Sequence, residues 1–536
     1  ETRSMQNLTW TGTLGVYLNP LFLTALSAFF VFAVSAAARG FSRLDGRTLL
    51  NPTPPSIALL GPTAVIGLVL WLLSLTGLPP FAMLGLGNMT LSLVVCLVIG
   101  LATGFGLFQI SSDLIFKLVW STFYVVLCLF LIYFIVGLFV VPETAGIVGA
   151  ISKQLTPTWI ALLVTFAVSI YFKRSLGLYG KLFDSPIGMI GLGLVLFWVF
   201  TALLGAGFDL IATHDPLSQV SGMKNKHPGI PLRGAEANDY PYYLFGGDTL
   251  ARDVFSRAIV GSGIVIVIAP AATVFAFMIG ITLGLPAGYF GGRLDTVLSF
   301  LSNMVLAFPV ILLFFLLVTP EIIESGLPNY LAVILFVFPV IFIAVAQFSK
   351  NRLKPNFLTL KLPIIMIIAL WLYLSLVSET DTTIALLPPL LDLFDVPSEI
   401  LVVFVSVVFV NSPTVFRIVR GLTLDVKTRD YVAAAQTRGE GPWYIMLWEI
   451  LPNVRGPLIV DFCLRIGYAT ILLGTLGFFG LGLESESPDW GTTINAGRKL
   501  LSVYLAPPLV PAFALMSLVL GLNLLADGLR EESLRD

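Results

Sequence analysis

Residues 48–112 read TLLNPTPPSIALLGPTAVIGLVLWLLSLTGLPPFAMLGLGNMTLSLVVCLVIGLATGFGLFQISS, 65 residues without Asp, Glu, Lys, Arg or His. One bilayer crossing takes about 20 apolar residues, so this run alone supplies roughly three lengths of membrane helix. The remaining sequence has the same character. Of 536 residues, 57% are apolar and 11% charged, against about 25% charged in a soluble domain. A water-soluble globule is excluded. Long apolar runs without strand alternation exclude an outer-membrane barrel, and a net charge of −1 excludes a polyanion-binding chain, so no nucleic-acid partner is expected. The fold class is an all-α polytopic membrane protein whose first partner is the lipid bilayer.

Apolar windows fall at 17–38, 57–77, 81–108, 114–141, 157–172, 187–212, 261–288, 295–319, 329–347, 362–378, 400–416, 456–482 and 506–527, predicting thirteen transmembrane helices. Cytoplasmic loops collect Lys and Arg. Arg39, Arg43 and Arg47, then Lys173, Arg174 and Lys181, then Lys350, Arg352, Lys354 and Lys361 all fall on one side of that alternation. Glu321, Glu324, Glu379, Asp381, Asp392, Asp395 and Glu399 fall on the other. The expected topology is a multi-pass cell-membrane protein with its N-terminus outside and its C-terminus cytoplasmic. Two long hydrophilic segments then stand apart, 213–257 outside and 417–455 inside.

Catalytic and metal chemistry find little support. Cys96, Cys128 and Cys463 lie far apart in apolar runs, and His214 and His227 share a polar loop without metal-ligand spacing, so no metal is expected. No GxxxxGK[ST] stretch occurs, and any ATP chemistry would come from another chain. Residues 1–4 precede Met5 without the basic region, short apolar region and cleavage site of a signal peptide.

The inner segment, LTLDVKTRDYVAAAQTRGEGPWYIMLWEILP over 422–452, reads as helix, break and helix. Gly439 and Gly441 can end the first helix, Pro442 suits the first turn of the second, and Pro452 closes it. Ala433, Ala434 and Ala435 leave a patch without bulky side chains that another surface can approach closely. Two readings fit: a docking element, or an amphipathic loop lying on the membrane.

The same stretch resembles the EAA loop of ABC importer permeases, whose pattern is E-A-A, three residues, Gly, nine residues and I-x-L-P. Counted from Ala433, Gly439, Leu451 and Pro452 are in register, while Ala433 replaces the pattern's Glu and Glu449 its Ile. GGDTLARDVFSR at 246–257 is similar to the G-T-D-x-x-G-R-D-x-x-S-R segment of the C-type permease subunits of dipeptide, oligopeptide and nickel importers. It keeps Asp248, Arg252, Asp253, Ser256 and Arg257, with Gly247 and Ala251 replacing Thr and Gly. AGYFGGRLD, LAFP, LGFFGLGLESESPDWGTTINAGR with Trp490 and Gly491, and NLLADGLRE follow in the family's order; a Glu carried by several members is Leu473 here.

The resemblance implies a permease core built from the sixth, seventh, eighth, eleventh, twelfth and thirteenth helices. It also implies a homologous B-type permease partner, two cytoplasmic ABC ATPase subunits that bind ATP and Mg, and an extracellular solute-binding protein. The chain itself would be no enzyme and would bind no cofactor. It would form half of a pathway for peptides or a similar small solute and couple to an ATPase through 422–452. The implied division is an additional five-helix region at 1–184, core at 185–320, a two-helix insertion at 321–397 and core again at 398–536. The additional helices read either as a peripheral belt or as a contact site for an extra subunit or for the solute-binding protein.

Inside the membrane, Asp461 and Arg465 are four apart on one helix face and can pair, either as a polar element of the pathway or as mutual neutralisation. Gly280, Gly284 and Gly288 form a stripe that permits close helix crossing. Two other classes compete with an importer: an ATP-independent secondary transporter, for which Asp461 and Arg465 are the sole buried ionisable candidates, and a structural subunit of a membrane complex.

Overall fold

The computed structural model describes residues 7–44, 112–233, 239–378, 388, 391–393, 397–481, 486–501 and 505–533. The windows at 57–77 and 81–108, with Cys96, lie outside them. Eight helices among the described residues are long and apolar enough to cross a bilayer, or ten if each of two bent pairs makes one crossing. Thirteen crossings are therefore not what the described residues display.

The chain divides into two compact units between Lys153 and Gln154, upstream of the boundary expected at 184. The first unit contains α1 (Gly15–Leu44), α2 (Ser112–Phe139) and most of α3 (Pro142–Gln154). Asn19 is a polar residue within α1. It is satisfied there: its Oδ1 accepts from the Tyr133 hydroxyl of α2 at 2.6 Å and its Nδ2 donates to Thr11 Oγ1 at 2.9 Å.

The second unit begins with α4 (Thr156–Tyr171) and α5 (Pro186–Gly207). Ser185 caps α5 by accepting from the Gly188 amide at 3.3 Å, with Pro186 at the first helical position. A polar segment with a two-stranded antiparallel ribbon, β1 (Ile230–Pro231) against β2 (Tyr242–Tyr243), leads to α6 (Val254–Phe290). At 37 residues, α6 is about 55 Å long and overruns a hydrocarbon core of about 30 Å. Its two ends therefore stand in the polar layers, one at each functional region.

The window at 295–319 is not one straight helix. It splits into α7 (Gly292–Leu306) and α8 (Val310–Val318), bent by 87°. Pro309 lies at the break; it lacks an amide hydrogen and disfavours helical geometry in Phe308. Neither piece alone has the length of a crossing. The chain continues through α9 (Leu327–Asn351), α10 (Phe357–Val377) and α11 (Ser398–Val426). It then forms α12 (Asp430–Thr437), α13 (residues 442–453), α14 (Arg455–Phe479), α15 (Trp490–Arg498) and α16 (Ala506–Ser533). Residues 422–426, read from sequence as the start of the inner helix pair, instead extend α11, because the apolar face of that helix continues through Val419 and Leu422 into the same core.

The glycine stripe sets the α6–α11 crossing. A Cβ on Gly284 would come within 2.9 Å of Val419 Cβ and 3.0 Å of the Phe416 carbonyl oxygen; one on Gly280 or Gly288 would strike Val415 or Thr423. Backbone contact at this distance is possible only without side chains on α6. Around the crossing, α6, α9, α11 and α14 share one apolar core that includes Phe336, Val408 and Leu473. Leu473, where several similar permeases carry a Glu, is a packing residue here.

Candidate functional site

Two polar constructions occupy opposite ends of the second unit. At one end, α12 and α13 make a helical hairpin. The first helix stops because Gly439 adopts φ +78, allowing its amide to donate to Gln436 O at 3.0 Å and that of Glu440 to Ala435 O at 3.2 Å. This paired bonding satisfies the last carbonyls of α12 and favours glycine at the left-handed position. Pro442 then opens α13, as the sequence predicts. Ala433 and Ala434 are exposed, whereas Ala435 is fully buried with Val432. Ile445, Met446, Leu447 and Ile450 bury the opposite side of the hairpin. Leu451 is half-buried and Pro452 exposed. Glu449 receives a bond from Arg438 Nη2 at 2.5 Å, closing the hairpin with an exposed ion pair.

This hairpin is tied by side-chain bonds to α6 and α9 and packs on α11. Lys427 Nζ donates to Gly288 O at 2.9 Å and Gln436 Nε2 to Tyr289 OH at 3.1 Å, both at the end of α6. Arg420 of α11 pairs with Asp295 of α7 in a two-pronged contact, its Nη2 lying 2.7 Å from Oδ2. Trp448 of α13 donates to Ser349 Oγ of α9 at 3.1 Å. Sequence reasoning missed these last two pairs. Asp295 lies within the AGYFGGRLD segment, but nothing local identifies Arg420 as its partner.

At the other end, the residues singled out from 246–257 and from the loop before α15 converge on one buried clasp. Asp248 accepts from the amides of Leu250 (2.8 Å) and Arg252 (2.9 Å) and from Arg252 Nε (2.8 Å). Asp253 caps α6, accepting from the Phe255 and Ser256 amides at 3.3 and 3.1 Å. Ser256 Oγ in turn receives the Thr213 and His214 amides. Arg257 donates to the carbonyls of Ser487 (2.6 Å), Glu486 (3.1 Å) and Pro216 (3.4 Å) and to Thr493 Oγ1 (3.3 Å). Trp490 Nε1 donates to Ala258 O at 2.9 Å, and Gly491 donates its amide to Asp489, the cap of α15.

Asp248, Arg252, Asp253, Ser256, Arg257 and Trp490 are all buried. They fasten the start of α6 to α15; a partner would meet the surface they support rather than these side chains. Burial, reinforced by the Asp253 and Asp248 carboxylates, pushes the Tyr243 phenol up. Burial also raises the Asp489 carboxyl, against opposing bonds from Thr492 and Gly491 and the charge of Arg257.

Asp461 and Arg465 do pair, at 3.4 Å, in the half of α14 nearer the hairpin. The Arg465 guanidinium also lies 5.7 Å from the centre of the Tyr468 ring. Arg465 is thus held by a carboxylate and an aromatic face on its own helix.

The chain is similar to known transport proteins. Residues 280–531 match the family of binding-protein-dependent transport system inner membrane components. The chain is 26% identical over 324 residues to the dipeptide transport system permease protein DppC of Alkalihalophilus pseudofirmus, covering 60% of this chain and 81% of that one. It is 27% identical over 361 residues to DppC of Haemophilus influenzae, covering 67% and 91%. It is 28% identical over 289 residues to the glutathione transport system permease protein GsiD of Pectobacterium atrosepticum, covering 54% and 71%. A family of transport subunits, multi-pass membrane helices and a hairpin in register with the EAA pattern point the same way. Residues 280–531 are those of an inner membrane component of a binding-protein-dependent transport system, and the chain is similar to the C-type permease subunits of dipeptide and glutathione importers.

Proposed function

We propose that this chain forms half of the translocation pathway of an ATP-driven importer for peptides or a similar small solute, and that α12–α13 receives one of two ATPase subunits. The hairpin carries this reading: Ala433 and Ala434 are open to a partner while the opposite side of the hairpin is bound to α6, α9 and α11. A rigid partner seated on Ala434 would move several membrane helices together, as a two-state switch requires. ATP and Mg would be held by the ATPase, and a B-type permease would complete the pathway.

The hairpin end is the cytoplasmic end in this proposal, with the N-terminus outside and the C-terminus inside. Lys350, Arg352, Lys354 and Lys361 support that sidedness. The clasp end, with the polar segment before α6, would face the solute-binding protein. Purification of the intact complex from native membranes tests the proposal. ATPase subunits should be retained by the native chain and lost with Ala434→Trp while membrane insertion is unchanged. Uptake that proceeds without ATP, by the chain alone, would refute it.

A further inference from the structure

The helix pair α9–α10 lies in the stretch that the permease resemblance leaves unexplained, yet its inner corner is built into the hairpin. Phe342, Val345 and Ala346 of α9 pack on the core formed by Ile445, Met446, Leu447 and Ile450. One turn further, Ser349 Oγ accepts from Trp448 Nε1 at 3.1 Å, and Lys350 Nζ stands 4.7 Å from the Trp448 ring centre. Arg352 reaches the turn between α12 and α13: a methyl group on Gly441 would come within 3.1 Å of its Nη1.

Beyond this anchored turn the chain is open. Residues 352–356 are all exposed, and Leu353 is 91% exposed. A depression of about 630 Å³ lies beside it, lined by Asn351, Lys354, Asn356, Phe357 and Lys361 among others. An apolar side chain held out between cations, on a base fixed by an indole and a hydroxyl, has the character of an interface contact rather than of a slack loop. Its neighbour Arg352, beside Gly441, makes it continuous with the turn that follows α12.

We propose that Arg352, Leu353 and Lys354 belong, with Ala433, Ala434 and Gly439, to one docking surface for the ATPase subunit. The ATPase would meet it with an apolar recess bordered by carboxylates. This rests on the reading of α12–α13 as the coupling element. Its addition is that α9–α10 enlarges that contact and receives part of the motion directly. Continuity with the hairpin favours a protein partner over a phospholipid surface, which basic residues beside an exposed leucine can also bind.

Site-specific photocrosslinking in the intact complex in native membranes tests this, with a photoreactive residue placed at Leu353, at Ala434 or, as control, at Leu217 near the clasp. Crosslinks to the ATPase from both 353 and 434, with none from 217, are expected. A crosslink from 434 alone, or one from 353 only to phospholipid, would overturn the enlarged surface and leave the hairpin reading standing. No crosslink from 434 would overturn the hairpin reading itself. The double variant Arg352→Glu with Lys354→Glu should weaken ATPase retention several-fold, and more at low salt than at high salt; unchanged retention at both would count against the proposal.

Discussion

Arg257 Nη2 donates to the carbonyl oxygen of Ser487 at 2.6 Å, joining the first turn of α6 to the loop that leads into α15. The same guanidinium serves two further carbonyls and one hydroxyl, and it is fully buried. Truncating it leaves those acceptors without their donor and removes a second cation 4.0 Å from Asp248, which keeps Arg252. Arg257→Ala should destabilise the protein by about 3–5 kcal/mol, read as a lowered thermal unfolding midpoint in detergent. Arg257→Lys should recover only part, because an ammonium cannot span the fork of acceptors. Full stability of either variant would contradict this account of the clasp.

Ala251 has φ +66, in the left-handed region that costs an L-residue about 1–2 kcal/mol. The similar permease segment carries Gly at this position. Ala251→Gly relieves the strain and loses some stability to the greater freedom of the unfolded chain. The net should be a stabilisation of up to about 1 kcal/mol, and an unfolding midpoint that falls would show that Ala251 packing outweighs its backbone strain.

Asp489 accepts from the amides of Gly491 and Thr492 through Oδ1, and burial raises its carboxyl above the ordinary range. A raised acid binds its proton more tightly folded than unfolded, so folding is favoured at low pH and loses that contribution as pH climbs from the unfolded value through the folded one. Asp489→Asn keeps the capping oxygen and removes the titration. The variant should match or exceed the native protein in stability at neutral pH, and the native slope of stability against pH above about 4 should flatten. Identical slopes in the two proteins would place the titration elsewhere.

The Arg438–Glu449 bridge is exposed, with the arginine side chain 56% accessible. Its loss should cost under about 1 kcal/mol of stability. The geometry of the hairpin is the more sensitive readout. Arg438→Glu should reduce ATPase retention by setting like charges face to face, and adding Glu449→Arg should restore it. A double variant no better than the single one would mean that the bridge does not hold the two helices in register.

The parts legible in the sequence are those whose cause is local. Gly439 and Pro442 mark the stop and restart of the inner helices because a left-handed residue and a ring-locked φ are written in single positions. The long apolar helices are legible for the same reason. The bend between α7 and α8 is not, since window averages over 295–319 hide one proline inside uninterrupted apolar residues. Nor is the docking of α9 beneath the hairpin. Phe342, Val345 and Ala346 could equally face lipid, and in a membrane helix both surroundings select the same side chains. The motif residues of the outer segment were visible from sequence, but their burial was not. Arg257 finds most of its acceptors about 230 residues away, and no spacing rule names them.

That separation also gives the clasp a timetable. At about 5–20 residues per second, a ribosome that has just added Arg257 needs roughly 10–50 s to reach Ser487. α6 is complete roughly 2–7 s into that interval, and from then on it stands with Arg252 and Arg257 at its head and none of the Glu486, Ser487 or Thr493 acceptors yet made. The nascent protein therefore carries an unfinished charged end while some 230 further residues are made, and the arrival of α15 is the event that closes it.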